Sequence, residues 1–443
     1  MNAMTRDHGM RSSGLTLVEI VIAMAVTSIV LVGVVAAFRA QQATFYATQK
    51  TRSAQASARN ALLYLEQKVP LAGTGMDGSL AFDLRGWTTA TQPCPAEMTG
   101  CPVDSVTNSD ELIFFARNPN YWVPSDLLAD GRGRTWFFRS ATANSIRVTA
   151  REGDRFEKGQ ILQIVCQRLL RYAYVTVATA VNGPADDGNP LTVNTADVDI
   201  PILAGNPAQP NPFQTQFLTS DTCFTAGSGP ARVFQIDRYR FHVRPVSRGG
   251  VKYEPFLMLD TGTDVNRDGV IDANDEIVVA DDVEVFQVGY SFVNPALGTF
   301  GTNPGTQITF PPSPSDAGQT IDQLGTLTLP AVGSVPAGET PFTVSTFLKY
   351  RTTPPNLPVE RMGTHQGNIV SVHISLITRS PEPATDDPAT FPVKNRRVMN
   401  FVGAPAWIQN WADSRGGDDG YQRFTAETTI NTPNLLVQVV PPF

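Results

Sequence analysis

The sequence predicts an α+β protein in which one long N-terminal helix packs on a β-rich globular part. An apolar run from Leu15 to Phe38 leads into a stripe with helical spacing that reaches Val69. After Pro70 the pattern changes to short β-branched and aromatic segments separated by Gly- and Pro-containing turns. With 443 residues and 42% hydrophobic content, the chain is long enough to bury a sizeable core.

The apolar run is long enough to cross a membrane. Residues 15–38 form about 24 residues of helix, or about 36 Å, against a hydrocarbon core of about 30 Å. The polar residues 1–14 carry Arg6 and Arg11 against Asp7. The positive-inside tendency therefore predicts that this end stays cytoplasmic and that the rest of the chain faces outward.

Glu19 is the only charged residue in the apolar run. An ionised side chain within a membrane-spanning helix costs on the order of 2.5–3.5 kcal/mol even on a lenient insertion scale. Such a carboxylate needs a compensating partner, so Glu19 is a candidate functional residue.

The segment Gly14-Leu15-Thr16-Leu17-Val18-Glu19 resembles the processing site of type IV prepilins. The resemblance implies that a prepilin peptidase cuts between Gly14 and Leu15, that residues 1–14 are a cleaved leader and that the new N-terminus is methylated. Glu19 then becomes the fifth mature residue, whose carboxylate in that family offsets the terminal amine of another subunit. Leu15 departs from the more usual Phe, and the alternative is a simple membrane anchor.

Residues 39–69 are predicted to continue the helix as its amphipathic half, which packs on the globular part. The apolar and small residues recur at three- and four-residue intervals: Ala54, Ala58, Ala61, Leu62, Leu65 and Val69. No proline interrupts residues 20–69. Major pilins generally carry a proline within this helix, so its absence favours a minor pilin or a pseudopilin.

The soluble part is predicted to be mostly β. A β-rich region spans residues 70–293, a Pro-, Gly- and Thr-rich loop spans 294–358, and C-terminal strands in 359–443 complete the globular domain. Strands are predicted at Glu111–Ala116, Thr135–Arg139, Ser145–Thr149, Ile161–Val165, Ala173–Thr179, Arg232–Val243, Phe256–Asp260, Val283–Phe292, Ile369–Arg379 and Arg423–Ile430.

Four cysteines, Cys94, Cys101, Cys166 and Cys223, lie on the side predicted to be outside the inner membrane. An even number in an oxidising compartment predicts disulfides, and four cysteines allow three connectivities. The short spacing favours Cys94 with Cys101, which leaves Cys166 with Cys223. A zinc site is the alternative, but the sequence contains no CxxC pair.

An acidic segment after the predicted strand Phe256–Asp260 has the spacing of a calcium loop. Gly269, at the sixth position, permits a sharp turn, and Glu276 is a further oxygen donor. The last position holds Asp where sensor-type loops have Glu, so the segment resembles a dockerin-type loop. The predicted Ca²⁺ ligands are Asp264, Asn266, Asp268, the Val270 carbonyl, Asp272 and Asp275. The alternative is an Asp- and Gly-rich turn without metal.

Other signals are weak. The net charge of −7, with no basic run, argues against nucleic acid as a partner. Gly73-Thr-Gly75-Met-Asp-Gly78 fits GxGxxG, but it follows a predicted helix and opens none, so it does not predict a dinucleotide site. His242 and His373 alternate with apolar neighbours as ordinary strand residues do. These patterns predict no enzyme activity.

The order of helix and strands, with Val283–Tyr290 and Val370–Arg379, resembles the PilW group of minor pilins. The resemblance implies a structural role in assembly or initiation of a type IV pilus, in a complex at its tip. It implies other pilins, the prepilin peptidase and a PilY-type tip adhesin as partners. The protein would begin in the inner membrane with a periplasmic domain and end in the surface pilus. The alternatives are a GspJ-like pseudopilin of type II secretion and a calcium-dependent adhesin on a pilin stem.

Overall fold

A computed structural model describes thirteen ranges of the chain. These are residues 16–76, 78–83, 109–118, 136–166, 171–185, 195–203, 213–214, 231–248, 252–292, 369–382, 397–398, 401–402 and 421–436. The predicted loop 294–358 lies outside them. The described residues combine one long helix with several β-sheets, which confirms the α+β class.

Helix α1 spans Leu17–Lys68 without a break, 52 residues that reach about 78 Å. Thr16 caps its N-terminus in extended conformation, and Lys68 lies in its last turn, where a cation favours the helix dipole. A 3₁₀ turn, Val69–Leu71, follows directly. Pro70 lies within this turn, where its missing N–H breaks no α-helical hydrogen bond.

The strands are antiparallel and mostly short. In chain order they are β1 Leu112–Arg117, β2 Trp136–Ala141, β3 Ser145–Arg151, β4 Arg155–Phe156, β5 Ile161–Cys166, β6 Arg171–Thr176, β7 Val181–Asn182, β8 Thr195–Pro201, β9 Ala231–Arg248, β10 Lys252–Asp260, β11 Ile277–Asp281, β12 Val283–Phe292, β13 Ile369–Arg379, β14 Arg397–Val398, β15 Phe401–Val402 and β16 Arg423–Asn431. A four-residue helix, α2, spans Pro433–Leu436.

The larger sheet is organised around β9. Its order is β11-β10-β9-β2-β3-β8, with β1 and β5 also paired to β9 and β6 paired to β5. Strand β10 pairs with β9 from Lys252 opposite Arg248 to Asp260 opposite Arg240. Within the described part of the chain, β11 and β8 are therefore the two ends of this path.

A smaller sheet has the order β12-β13-β16. Its first strand follows β11 after one residue, Asp282, which has a φ of 56°. Asp is among the few residues that tolerate this left-handed conformation, so the chain turns here from the larger sheet into the smaller one. Strands β13 and β16, from the C-terminal third of the chain, complete the smaller sheet on β12.

The main core lies between α1 and both sheets. Ala61 and Leu65 of α1, and Val69 of the turn that follows it, are fully buried in this core. On the larger sheet, the Phe114 ring stacks on Tyr239 with centroids 4.9 Å apart. The smaller sheet contributes seven fully buried side chains, namely Val283, Phe286, Val288, Ile369, Val372, Ile374 and Leu376. Alternate residues of β12 and β13 therefore place one face of each strand against the helix.

Hydrogen bonds join α1 to the smaller sheet and its neighbours. Thr378 donates its hydroxyl to the Ala54 carbonyl at 2.9 Å, and Thr428 donates to Glu66 at 2.8 Å. The Ser57 hydroxyl donates to the Asp281 carbonyl at the end of β11. The buried stripe of the helix is thus flanked by polar contacts that fix its position along the sheet.

The predicted strands agree with observed ones to within a few residues at most ends. Strands β8 and β11 and the two-residue strands β4, β7, β14 and β15 were not predicted. The β8 sequence Thr-Ala-Asp-Val-Asp-Ile-Pro is too polar to read as a strand, and its first residues are exposed. Strand β11 follows the acidic segment so closely that only its apolar residues 277–280 mark it.

The close packing of the helix predicts that a larger residue in its alanine stripe destabilises the protein. Ala58 is fully buried, so Ala58→Leu has to push α1 away from the core at a cost of about 1–3 kcal/mol. Denaturant unfolding of the full chain in detergent micelles measures this. The control is Asn60→Leu on the exposed side of the same turn, expected within about 0.5 kcal/mol of wild type. Equal stability of both variants would contradict the close packing.

Candidate functional site

Glu19 and Thr16 form a capping box at the start of α1. The Thr16 N–H donates to Glu19 Oε2 at 2.9 Å, and its hydroxyl donates to the same oxygen at 3.0 Å. In return, the Glu19 N–H donates to Thr16 Oγ1 at 3.3 Å. The carboxylate is thus held at the helix N-terminus, where negative charge is favoured by the helix dipole.

The first half of α1 exposes its apolar side chains. From Leu17 to Phe38 the large apolar side chains are between 43% and 79% exposed. This is the one helix among the described residues that is long and apolar enough to cross a membrane. Such an apolar surface requires lipid or other apolar helices around it. Gly14 and Leu15, the predicted processing residues, lie outside the described residues.

The acidic segment forms a turn held by hydrogen bonds from its own backbone. Asp264 is buried, and its two carboxylate oxygens accept the N–H groups of Asp268 at 3.1 Å and Gly269 at 2.8 Å. Gly269 has a φ of 88°, which supplies the predicted sharp turn. Asp268 in turn accepts the Val270 N–H at 2.8 Å.

Asp275 closes the same turn from its other end. One of its carboxylate oxygens accepts the N–H groups of Val265 and Asn266 at 2.8 and 3.0 Å, and the other accepts the Asp272 N–H at 3.0 Å. Asp275 is buried, whereas Asp272 and Val270 are exposed. The predicted ligand positions therefore lie in one compact loop, with two of the carboxylates inside it.

The loop is fixed to the turn between β4 and β5. Arg267 donates to both carboxylate oxygens of Glu157, at 2.7 and 2.8 Å, and Lys158 Nζ donates to the Gly269 carbonyl at 2.5 Å. At Gly159 an added Cβ would lie 2.1 Å from the Gly262 carbonyl oxygen, so only glycine allows this approach. The loop is thus anchored in the fold.

A buried ion cluster holds the strand that leads into the loop. Asp260 pairs with Arg240 at 3.2 Å and with Arg238 at 3.6 Å. Burial opposes its charge, but these arginines and the Gly262 N–H together lower the pKa of Asp260 below its ordinary value. The ionised carboxylate therefore stabilises the end of β10 at neutral pH.

The buried carboxylates of the loop are engaged by its own backbone. Within the described ranges, no group of three or more His, Cys, Asp and Glu side chains could hold a metal ion. The carboxylates of Asp264 and Asp275 accept loop N–H groups instead. Glu276, considered as a further oxygen donor, pairs with Arg244 at 2.7 Å and contacts His242 at 3.4 Å. Calcium binding at the predicted residues stays a prediction.

The cysteines are described in part. Cys166, at the end of β5, is buried and disulfide-bonded. Cys94, Cys101 and Cys223 lie outside the described residues, so the predicted pairings stay predictions.

The other candidate motifs have structural roles. Gly73 and Gly75, with φ of 76° and 68°, belong to the turn that follows α1. His373 contacts the Thr429 hydroxyl at 2.9 Å within the smaller sheet, and burial lowers its pKa below the ordinary value. Both observations agree with the structural reading of these residues.

Sequence reasoning missed a buried ion cluster in the smaller sheet. Glu284 accepts two hydrogen bonds from Arg423, at 2.6 and 2.9 Å, and lies 3.7 Å from Arg379. Arg379 also stacks on the Tyr421 ring, 4.4 Å from its centroid. These residues are far apart in sequence, so no local spacing could have indicated the cluster.

Comparison with known proteins covers the start of the chain. Residues 9–35 match the family model described as the prokaryotic N-terminal methylation motif. The chain carries a prepilin-type N-terminus. This motif supports a type IV pilin-like or pseudopilin role and suggests membrane anchoring through α1. No curated protein and no solved structure matches the chain.

The loop geometry predicts that Asp264 stabilises the fold without any metal. Asp264→Ala leaves the N–H groups of Asp268 and Gly269 without their acceptor, at a cost of about 1–3 kcal/mol. Unfolding of the full chain in micelles with excess chelator measures this. Asp272→Ala is the matched control, because its exposed partners are solvated by water, and it is expected within about 0.5 kcal/mol of wild type. Equal free energies of unfolding for both variants would contradict a stabilising role of Asp264.

Calcium binding is tested separately on metal-free protein. An ion that binds only the folded chain raises its stability, by about 2.7 kcal/mol at a hundredfold excess over Kd. We expect millimolar calcium to raise the melting temperature of the wild type and not that of Asp268→Ala. Absence of both a thermal shift and a heat of binding in the wild type would leave the loop as a turn without metal.

Proposed function

We propose that this protein is a PilW-type minor pilin that takes part in the assembly or initiation of a type IV pilus, in the complex at its tip. The observation that carries the proposal is the unbroken α1. Its first half is apolar and exposed and carries one carboxylate, Glu19. Its second half buries one stripe of side chains on the globular part. This arrangement suits a subunit that moves from a bilayer into a bundle of apolar helices.

The match to the N-terminal methylation motif supports processing by a prepilin peptidase between Gly14 and Leu15. After that cut, Thr16 and Glu19 are mature residues two and five. The Thr16 N–H and hydroxyl already hold the carboxylate at the helix end. A charged terminal amine from a neighbouring subunit would pair with this carboxylate, which the Thr16 hydrogen bonds already hold in place. A buried ion pair of this kind fixes the register between subunits more than it adds net stability.

The continuity of α1 supports a minor pilin or pseudopilin over a major pilin. No proline or other break interrupts Leu17–Lys68. An uninterrupted helix of this kind offers apolar side chains to neighbouring helices along its whole first half. The proposed partners are other pilins, the prepilin peptidase and a PilY-type tip adhesin, with the β-rich part on the periplasmic side of the inner membrane and later on the pilus.

The proposal predicts separate effects for the two N-terminal positions. Substitution of Gly14 is expected to leave an uncut precursor. Glu19→Ala is expected to be cut and inserted normally but to lose most incorporation into pili, because the carboxylate that meets the neighbouring amine is gone. Mass spectrometry of the mature N-terminus and immunoblots of sheared pili measure the two effects.

Ser28→Ala is the matched control within the same span. The Ser28 hydroxyl donates to the Met24 carbonyl of its own helix, so its hydrogen bond is satisfied within the subunit. Its processing and incorporation are expected to equal those of the wild type. A mature N-terminus other than Leu15, or normal incorporation of Glu19→Ala, would overturn the proposed role.

A further inference from the structure

Strand β11 exposes apolar side chains at an edge of the larger sheet. Ile277 and Val278 are 49% and 51% exposed. Among the described residues outside α1, every exposed large apolar side chain lies between 265 and 278. Strand β11 pairs with β10 and ends the sheet path, so its outer side is open within the described part of the chain.

The opposite edge of the same sheet is built differently. Strand β8 presents Asp197 and Asp199, which pair across the sheet with Arg139 and Arg147. Charged side chains on an edge strand oppose pairing with another chain. Strand β11 has the sequence Ile-Val-Val-Ala-Asp, without a charge or proline before Asp281. Of these two edges, β11 is the one suited to accept a further strand.

Acidic residues flank the open edge on both sides. Asp268 and Asp272 are exposed before the strand, and Asp281 is exposed at its end. None of these three forms an ion pair among the described residues. An antiparallel pair of two β11 strands would bring the loop of one copy near Asp281 of the other. Because like charges facing each other are destabilising, the edge disfavours a second copy of this chain.

We propose that β11 is a docking edge for an extended segment of a different protein, one with β-branched or other apolar residues flanked by Lys or Arg. Main-chain hydrogen bonds would add this segment to the sheet beside β11, and its successive side chains would lie alternately on the face of Ile277 and on the opposite face, that of Val278. Its basic flanks would meet the exposed carboxylates at the two ends. This inference does not depend on the proposed role in pili.

The β11 edge lies beside helix α1. Ser57 of α1 donates to the Asp281 carbonyl, and Ala280 is buried in the core that α1 covers. A strand added at β11 therefore lies next to α1, and the segment 277–279 is the stretch that it can reach. The anchoring of the preceding loop through Glu157 and Lys158 keeps this edge in place before a partner arrives.

The test uses the full chain in detergent micelles and two labelled peptides. One peptide is Lys-Lys-Val-Thr-Ile-Thr-Val-Lys-Lys, and the other has Glu in place of every Lys. Fluorescence anisotropy is expected to show saturable binding of the lysine peptide and at least about tenfold weaker binding of the glutamate peptide. Hydrogen exchange is expected to slow at amides within residues 277–279.

Val278→Lys is expected to weaken binding of the lysine peptide at least about tenfold, because the substitution removes apolar contact and adds a like charge. Ala196→Lys, on the exposed start of β8, is the matched control and is expected to bind as the wild type does. Both variants are first shown to melt as the wild type does, and if Val278→Lys does not, Val278→Thr replaces it. Equal binding of both peptides, protection elsewhere in the chain, no binding, or self-association that Val278→Lys abolishes would each overturn the proposal.

Discussion

The structure depends on how closely the second half of α1 approaches the two sheets. Ala54, Ala58 and Ala61 present almost no side-chain volume, so the helix backbone lies near the strands. A larger side chain here would hold the helix away and open the core. Because the core spans both sheets, the same alanine stripe also fixes how β12 and β10 sit relative to the helix.

The two halves of α1 meet different surroundings although no break separates them. The second half is amphipathic and buries one stripe, whereas the first half is apolar around its whole circumference. A helix rises about 1.5 Å per residue, so the described start of α1 and its end on the sheet are about 78 Å apart. The single helix can therefore connect an apolar phase with a soluble domain. It also couples the position of one to the position of the other.

Much of this fold could be predicted from the sequence because its main signals are local. The apolar run, the helical stripe from Ala54 to Val69 and the β-branched segments of β12 and β13 can each be recognised within a short stretch of sequence. Strand β8 could not be predicted, because an exposed edge needs no apolar alternation. Glu276 pairs with Arg244 on β9 only because the sheet brings them together, and the Glu284 cluster arises in the same way. Local spacing indicated the acidic turn, but it does not determine whether N–H groups or an ion satisfy the carboxylates.

The buried charges are best understood as constraints on register. Desolvation largely cancels the attraction within a buried ion pair, so such pairs add little net stability. A shift of β16 against β13 by one residue, however, would move Arg423 away from Glu284 of β12 and leave a charge buried without that partner. That penalty excludes the wrong register. Since Thr378, beside Arg379, also bonds to the Ala54 carbonyl, the register of the smaller sheet in turn determines which turn of α1 it contacts.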